Sequence, residues 1–581
     1  MPSAPLLCQS SPIDMLSRLI AQPSLRYFAA GLLALFVYFF ALDSLHIPRN
    51  GDEEVYAHIT RVTAASGHWL PLQSDMPDMR NTKPPLLFWQ GVASTQAGTQ
   101  WDWWHLRFPS VLYTLLTAGL LWLLGKRLTG QAETGWVAAL TFLAFFSTYR
   151  FGRPFLVNPA ETFWFFLPFF TLLYWRERAF ESRLWIPVLL GVEVGIGLLY
   201  KSFALLAPIG FALTWWYLHQ RDYVWRHFIA RDFFKLVLIA ALSLSMFALW
   251  FVFDPDPQAV WREFVVGENA GKFDPHGGSY WAKLLWGGSS LWALVLGYPM
   301  NAGLLAFPVA ALFVLAYRRR YRLTDDEKRL WIWMAALFIV FALPSQRSAR
   351  YLLEAMPGVA LLCALNWQRI PRWVFVLTLV VCGMALSLFA WLALGLQQEV
   401  SGLYAWDYWL VWAVSMGLVG LAIVQASWTR ELVNVVALLT LLGLALFLRP
   451  FDGALGHYSA QSVRAVQDKP VWVSCNFRAH DEGYRMLLKG AQIHAYNENA
   501  ALSMQDLAAR YPHFTYKLPL QAPVCEGCKL LGQRLEIRSR HSNAELKAML
   551  HGAVFEHLFV KEVLLESPLT VLAPPLTEGC R

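Results

Sequence analysis

Residues 52–54 are three adjacent carboxylates, Asp52, Glu53 and Glu54, followed by Tyr56 and His58. Carboxylates beside a strongly apolar run are costly to bury, so they point either to helix capping or to polar chemistry on a substrate. From Glu54 onward, Val55, Ile59 and Val62 form one apolar stripe, the pattern of a helix lying in a membrane interface. Further on, Lys83 precedes Pro84 and Pro85, which break any helix and hold the lysine on an extended turn. His58, Asp274 and His276 are metal-ligand types, but no helical or loop spacing links them, so no metal set is assigned. Cys525-x-x-Cys528 is either a metal or redox pair or, with Cys475 and Cys580, part of a disulfide set with its pairing open.

The elements that position these residues are mostly membrane spans. The 581 residues are 56% hydrophobic and only 15% charged, with 28 Trp and 39 Phe, and the mean hydropathy is +0.39. That excludes disorder, a collagen-like fibre and a small disulfide scaffold. Runs long enough to cross about 30 Å of hydrocarbon number about thirteen, the first near 27–47 and the last near 431–448. The first run has no cleavage pattern behind it and is expected to be a retained helix. Basic clusters at Lys126–Arg127, Arg176–Arg183, Arg221–Lys235, Arg318–Arg329, Arg369–Arg372 and Arg430 fall in alternate connections. By the positive-inside rule those loops are cytoplasmic, so the +8 net charge marks topology and not nucleic-acid binding. The loops 48–104 and 254–292 and the tail after 449 are then expected outside, with the N-terminus inside. The expected fold class is an α-helical polytopic membrane protein with a C-terminal external α/β domain. The expected division is a membrane domain over 1–449 and a periplasmic domain over 450–581, where polar composition and short β-like stretches begin.

Several motifs carry a resemblance. Asp52-Glu-x-x-Tyr56-Ala57, then Lys83-Pro-Pro-Leu, are similar to motifs of the protein O-mannosyltransferase-related glycosyltransferases, the GT-C membrane enzymes. Leu106-Arg107-Phe108-Pro109-Ser110, Gly197-Leu-Leu-Tyr200-Lys201, Phe264-Val-Val-Gly267-Glu268-Asn269 and Arg350-Tyr351-Leu352-Leu353 follow in the same order. Within that family the chain most resembles the bacterial aminoarabinose transferases that modify lipid A. The resemblance implies a polyprenyl-phosphate-linked sugar donor, a lipid, glycan or protein acceptor of the envelope, and membrane lipids as surroundings. It implies an inner-membrane location, with transfer on the periplasmic face and inversion at the sugar as expectations from the same family.

A sugar phosphate leaves as an anion, so cations are needed where that charge develops. Lys83, Lys201, Arg347 and Arg350 lie at outer helix ends or in outer loops and suit that duty, each with lipid-headgroup anchoring as its alternative. The resemblance adds Tyr56, Arg153, Glu268 and Tyr351 to the substrate-binding set. The catalytic candidates are Asp52, Glu53, Asn158 and Glu161. Asp52 is a general base for a hydroxyl acceptor, or an orienting charge for an acceptor that is already ionised. Asn158 stands where the family usually carries Asp, which removes a charge but keeps hydrogen bonding. Glu161, one turn on, is the replacement carboxylate. Val55 stands where the aminoarabinose enzymes usually have Arg. No cofactor is assigned, and assistance by a divalent cation stays open. A lipid-linked-sugar transporter or flippase and a non-catalytic envelope assembly protein are the alternatives.

Overall fold

The computed structural model describes residues 23–45, 51–270, 280–344, 347–452, 456–498, 502–538 and 541–568. Asp274, His276 and Cys580 lie outside the described residues. Among the described residues, six helices are long and apolar enough to cross a membrane, or seven if one bent pair counts as a span. Three shorter apolar helices, of 10–17 residues, accompany them. Several expected spans are therefore broken. The apolar stretch 134–151, long enough in sequence for one span, is two helices, Ala132–Ala144 and Phe146–Gly152, and the stretch 351–366, also span-like in sequence, begins as a 3₁₀ turn, Ala349–Ala355.

The bundle packs as membrane helices must. The helix Phe233–Phe253 keeps only 22% of its apolar window buried, with Phe233, Val237, Leu244 and Val252 facing outward, as lipid-facing side chains do. Where helices cross closely, small residues allow it: a Cβ on Gly135 would lie 2.2 Å from the Trp122 carbonyl oxygen. The helix Trp103–Thr129 starts at Asp102, whose side chain accepts from the His105 N–H, and ends at Gly130 in the left-handed conformation.

The bend that matters for the site joins Phe146–Gly152 to Val157–Trp175 at 117°. Pro154 lies in the break, where no helix can continue. Arg153 stitches it to the end of the first helix among the described residues, Pro23–Phe39. Its guanidinium donates to the Tyr38 carbonyl at 3.0 Å, the Tyr149 hydroxyl at 2.6 Å and the Phe40 carbonyl. Those carbonyls have lost their helical partners, so the arginine caps them.

At the other end of the chain is a five-stranded sheet of order β2-β1-β3-β5-β4. Its strands are β1 (Pro470–Cys475), β2 (Gln492–Asn497), β3 (His513–Leu518), β4 (Lys529–Ile537) and β5 (Phe559–Glu566). β1 pairs in parallel with β2 and β3, and β5 runs antiparallel to β3 and β4. This is the expected α/β unit. Cys525 and Cys528 are disulfide-bonded to each other. Cys475 is also disulfide-bonded, and Cys363 and Cys382 are free and buried among the helices.

Candidate functional site

The helix Gly51–Ser66 carries the acidic cluster in its first turn, where the helix dipole favours negative charge. Its three carboxylates separate because successive helical residues point about 100° apart. Asp52 has a half-exposed side chain and accepts from Arg350 Nη1 at 2.6 Å. Glu53 turns inward and is 2% exposed. It accepts from Arg107 Nε at 2.7 Å and Nη2 at 2.8 Å, and from the Phe155 N–H at 2.7 Å. Arg107 also donates to the Leu42 and Ser44 carbonyls. Glu54 faces the C-terminal domain, beside Gly483.

From Asp52 a continuous polar chain runs into the bundle. Arg350 donates to Asn158 Oδ1 from Nη2 at 2.6 Å and from Nε at 3.2 Å. Asn158 Nδ2 donates to Glu161 Oε2 at 3.3 Å, and Lys201 Nζ donates to the same oxygen at 2.8 Å. Glu354 is buried beside Glu161. The amide at 158 suits this place because its two ends differ: the oxygen takes the arginine and the nitrogen serves the carboxylate. An aspartate there would set two carboxylates side by side.

A second pair converges on the same helix. Lys83 is mostly buried and donates from Nζ to Glu268 Oε2 at 3.1 Å. The segment bearing Glu268 is the wide-turned (π) helix Trp261–Asn269, a type frequent at functional sites. It is laced to the lysine turn by Glu263, which accepts from the Asn81 N–H at 3.1 Å and Nδ2 at 3.2 Å. At its far end Asn269 accepts from Ser202, the neighbour of Lys201, at 2.7 Å. Tyr56 is buried edge-on against Phe88, with ring centres 6.1 Å apart. Burial, with the Asp52 charge beside it, pushes its phenol well above the ordinary range, against Arg350 and Lys201. It is therefore a neutral hydroxyl at neutral pH, between the two groups of charges. For Arg350, burial disfavours the charge, but Asp52 and Tyr56 outweigh it and raise its pKa.

Of the candidate residues, Asp52, Tyr56, Lys83, Asn158, Glu161, Lys201, Glu268 and Arg350 are thus drawn together. The others are committed elsewhere. Glu53 ties down the helix, and Arg153 caps the first helix. Arg347 donates to the Ala342 carbonyl at 2.7 Å and the Ser289 carbonyl at 3.1 Å, and Tyr351 packs on Phe341. Among the described residues no group of three or more His, Cys, Asp and Glu could hold a metal ion. Asp52, Glu161 and Glu268 each face a lysine or arginine of the protein.

Sequence reasoning missed the clasp on the other side of this helix. Glu482, in the C-terminal domain, accepts from Arg61 at 2.6 and 3.0 Å and pairs with His58 Nδ1 at 2.6 Å. His58 Nε2 meanwhile accepts from the Asp75 N–H at 3.2 Å, so the ring proton sits on Nδ1. Burial alone would push the Glu482 carboxyl up; the hydrogen bonds from His58 and Arg61 outweigh it and hold it down at about 2. The only sequence signal was a histidine and an arginine one turn apart on a helix otherwise read for its acids.

Fold and site together define a polytopic helical membrane protein with a charged site where a loop helix meets the bundle and the sheet domain. Residues 50–253 match the family described as dolichyl-phosphate-mannose-protein mannosyltransferase. An undecaprenyl phosphate-alpha-4-amino-4-deoxy-L-arabinose arabinosyl transferase 2 of Pseudomonas fluorescens is 28% identical over 346 residues, 57% of this chain and 58% of that protein. A transferase of the same description from Edwardsiella ictaluri is 26% identical over 55% of each chain. The chain thus matches a little over half the length of these curated relatives. The crystal structure of ArnT from Cupriavidus metallidurans bound to undecaprenyl phosphate superposes with a TM-score of 0.59. It is 16% identical and is covered completely by 96% of this chain. The fold is the ArnT fold, and over a little more than half its length the sequence resembles the aminoarabinose transferases.

Proposed function

We propose that this protein is a glycosyltransferase of the bacterial inner membrane. It moves a sugar from a polyprenyl-phosphate donor to an envelope acceptor, lipid A or another glycan lipid or protein, on the periplasmic face. The observation that carries this reading is the convergence of two ion-paired groups, Asp52–Arg350–Asn158–Glu161–Lys201 and Lys83–Glu268, around Tyr56. In a single displacement the acceptor oxygen forms its bond to the sugar C1 as the C1–O bond to phosphate breaks, inverting that centre. The electron pair leaves with the phosphate oxygen. Lys83, Arg350 and Lys201 supply the positive charge that stabilises it. For a hydroxyl acceptor Asp52 takes the proton; for an ionised acceptor it orients Arg350.

The domains then divide the labour, with 1–449 carrying the chemistry and 450–581 lying over it in the periplasm. The test is reconstitution in liposomes with an undecaprenyl-phosphate-linked aminoarabinose donor and lipid A. Wild-type protein is expected to add one sugar mass, and Lys83→Met to slow this by about 100-fold, the scale of one lost electrostatic donor. Transfer at the wild-type rate by Lys83→Met would remove that lysine from the site.

A further inference from the structure

The sheet domain holds a second crevice, of about 530 Å³, away from the site described above. It lies along one edge of the sheet. Ser474 and Tyr496 end β1 and β2, Lys517 and Leu518 end β3, Arg538 follows β4, and Val560 is the second residue of β5. This is the edge formed by the carboxyl ends of the parallel strands. The chain passes from β1 outward to β2 and back across to β3, and ligands of open α/β sheets bind at such a reversal.

The lining mixes fixed charges of both signs with apolar and aromatic surface. Lys517 is held 3.3 Å from Glu536 and 3.8 Å from Glu498, and Arg538 is held 2.7 Å from Glu545. Glu498 and Glu556 present acceptors to the crevice, and Tyr496, Tyr516 and Pro519 give it apolar walls. Paired donors and acceptors with little net charge, beside rings and aliphatic surface, suit a ligand with many hydroxyls and apolar C–H faces. That ligand is a sugar.

The same edge is docked on the membrane helices. Phe555 packs on Trp391 and against Gly395 of the helix Arg372–Glu399, and Gln521 donates to Glu399 at 3.1 Å. Phe559 stacks on Phe451 just past the helix Ala426–Leu448. Trp406 is exposed at the first residue of the next helix, Trp406–Val424, and Trp391 is exposed about two turns before the end of Arg372–Glu399, as tryptophans are near headgroup level. A sugar in the crevice is thus held where the headgroups of membrane lipids are. We propose that the crevice is a carbohydrate-binding site for the sugar headgroup of a membrane glycolipid.

The test uses the full-length protein in phosphatidylcholine nanodiscs and native mass spectrometry. Two glycolipids serve as probes, lipid A and diglucosyl-diacylglycerol, with phosphatidylglycerol as the sugarless lipid and soluble glucosamine and glucose disaccharides as free sugars. The expected result is binding of at least one glycolipid that Glu556→Gln and Glu498→Gln each weaken about tenfold, with unfolding temperature and phosphatidylglycerol binding unchanged. Asp52→Asn is expected to leave this binding intact, which separates it from failure of the transferase reading. Competition by a disaccharide identifies the free sugar as sufficient. Variant-sensitive glycolipid binding without competition identifies the anchored form as the ligand. If neither glycolipid binds, if both bind equally well to the variants, or if phosphatidylglycerol binding falls in parallel, the proposal is overturned.

Discussion

Asn158 links Arg350 to Glu161 through opposite ends of one amide, so charge and hydrogen-bond polarity at this position are not interchangeable. Asn158→Asp restores the residue type expected from the resemblance, yet it is predicted to slow transfer several-fold, because it sets a second carboxylate beside Glu161. Steady-state transfer rates decide this, and a faster Asn158→Asp enzyme would refute the bridging role. Glu53 and Arg107 form a pair buried on both sides. Removing one partner of such a pair typically costs about 3–5 kcal/mol, so Arg107→Met is expected to lower the unfolding temperature sharply, as read by thermal unfolding in detergent. The motif residues were legible in sequence, but their division of labour was not. Asp52 and Glu53 are neighbours in the chain, and only the helix that rotates one from the other assigns them different work. Arg107 sat in a recognised motif, yet its partner is 54 positions away.

The loop helix Gly51–Ser66 is held on one side by Arg107 and on the other by Glu482. Glu482 has its carboxyl held at about 2 against an ordinary 4.5, a difference on the order of 3 kcal/mol. Because the folded value is the lower one, that stability is fully present above pH 4.5 and is lost as pH falls toward about 2. The clasp is therefore expected to open in acid. Hydrogen exchange along 51–66 is predicted to rise below pH 4.5, and Glu482→Gln to show that rise already at neutral pH. Unchanged exchange in Glu482→Gln would show that the domain does not hold the helix. This element was legible only in part. The apolar stripe announced a helix at the interface, but its second anchor is 424 residues downstream, beyond any local pattern. The broken spans were hidden for a related reason: an apolar run such as 134–151 is equally apolar whether its helix continues or is interrupted at Phe145.

At the scale of the whole molecule, a low charge content made the class readable, because the few charged residues that are not topology signals had to be doing something else. A polytopic bundle with a C-terminal α/β unit follows from composition and order alone, and the ArnT crystal structure shares that fold. The contact between sheet domain and bundle does not follow, since the surfaces that meet there look like ordinary helix ends and strand edges in sequence. Whether Asp52 takes part in the reaction is decided by sugar transfer by Asp52→Asn in liposomes containing donor and acceptor. A fall of about 10²–10⁴ in rate is expected, the usual range for a lost acid–base group, with the loop helix and the unfolding temperature unchanged. Transfer by Asp52→Asn at the wild-type rate would contradict it.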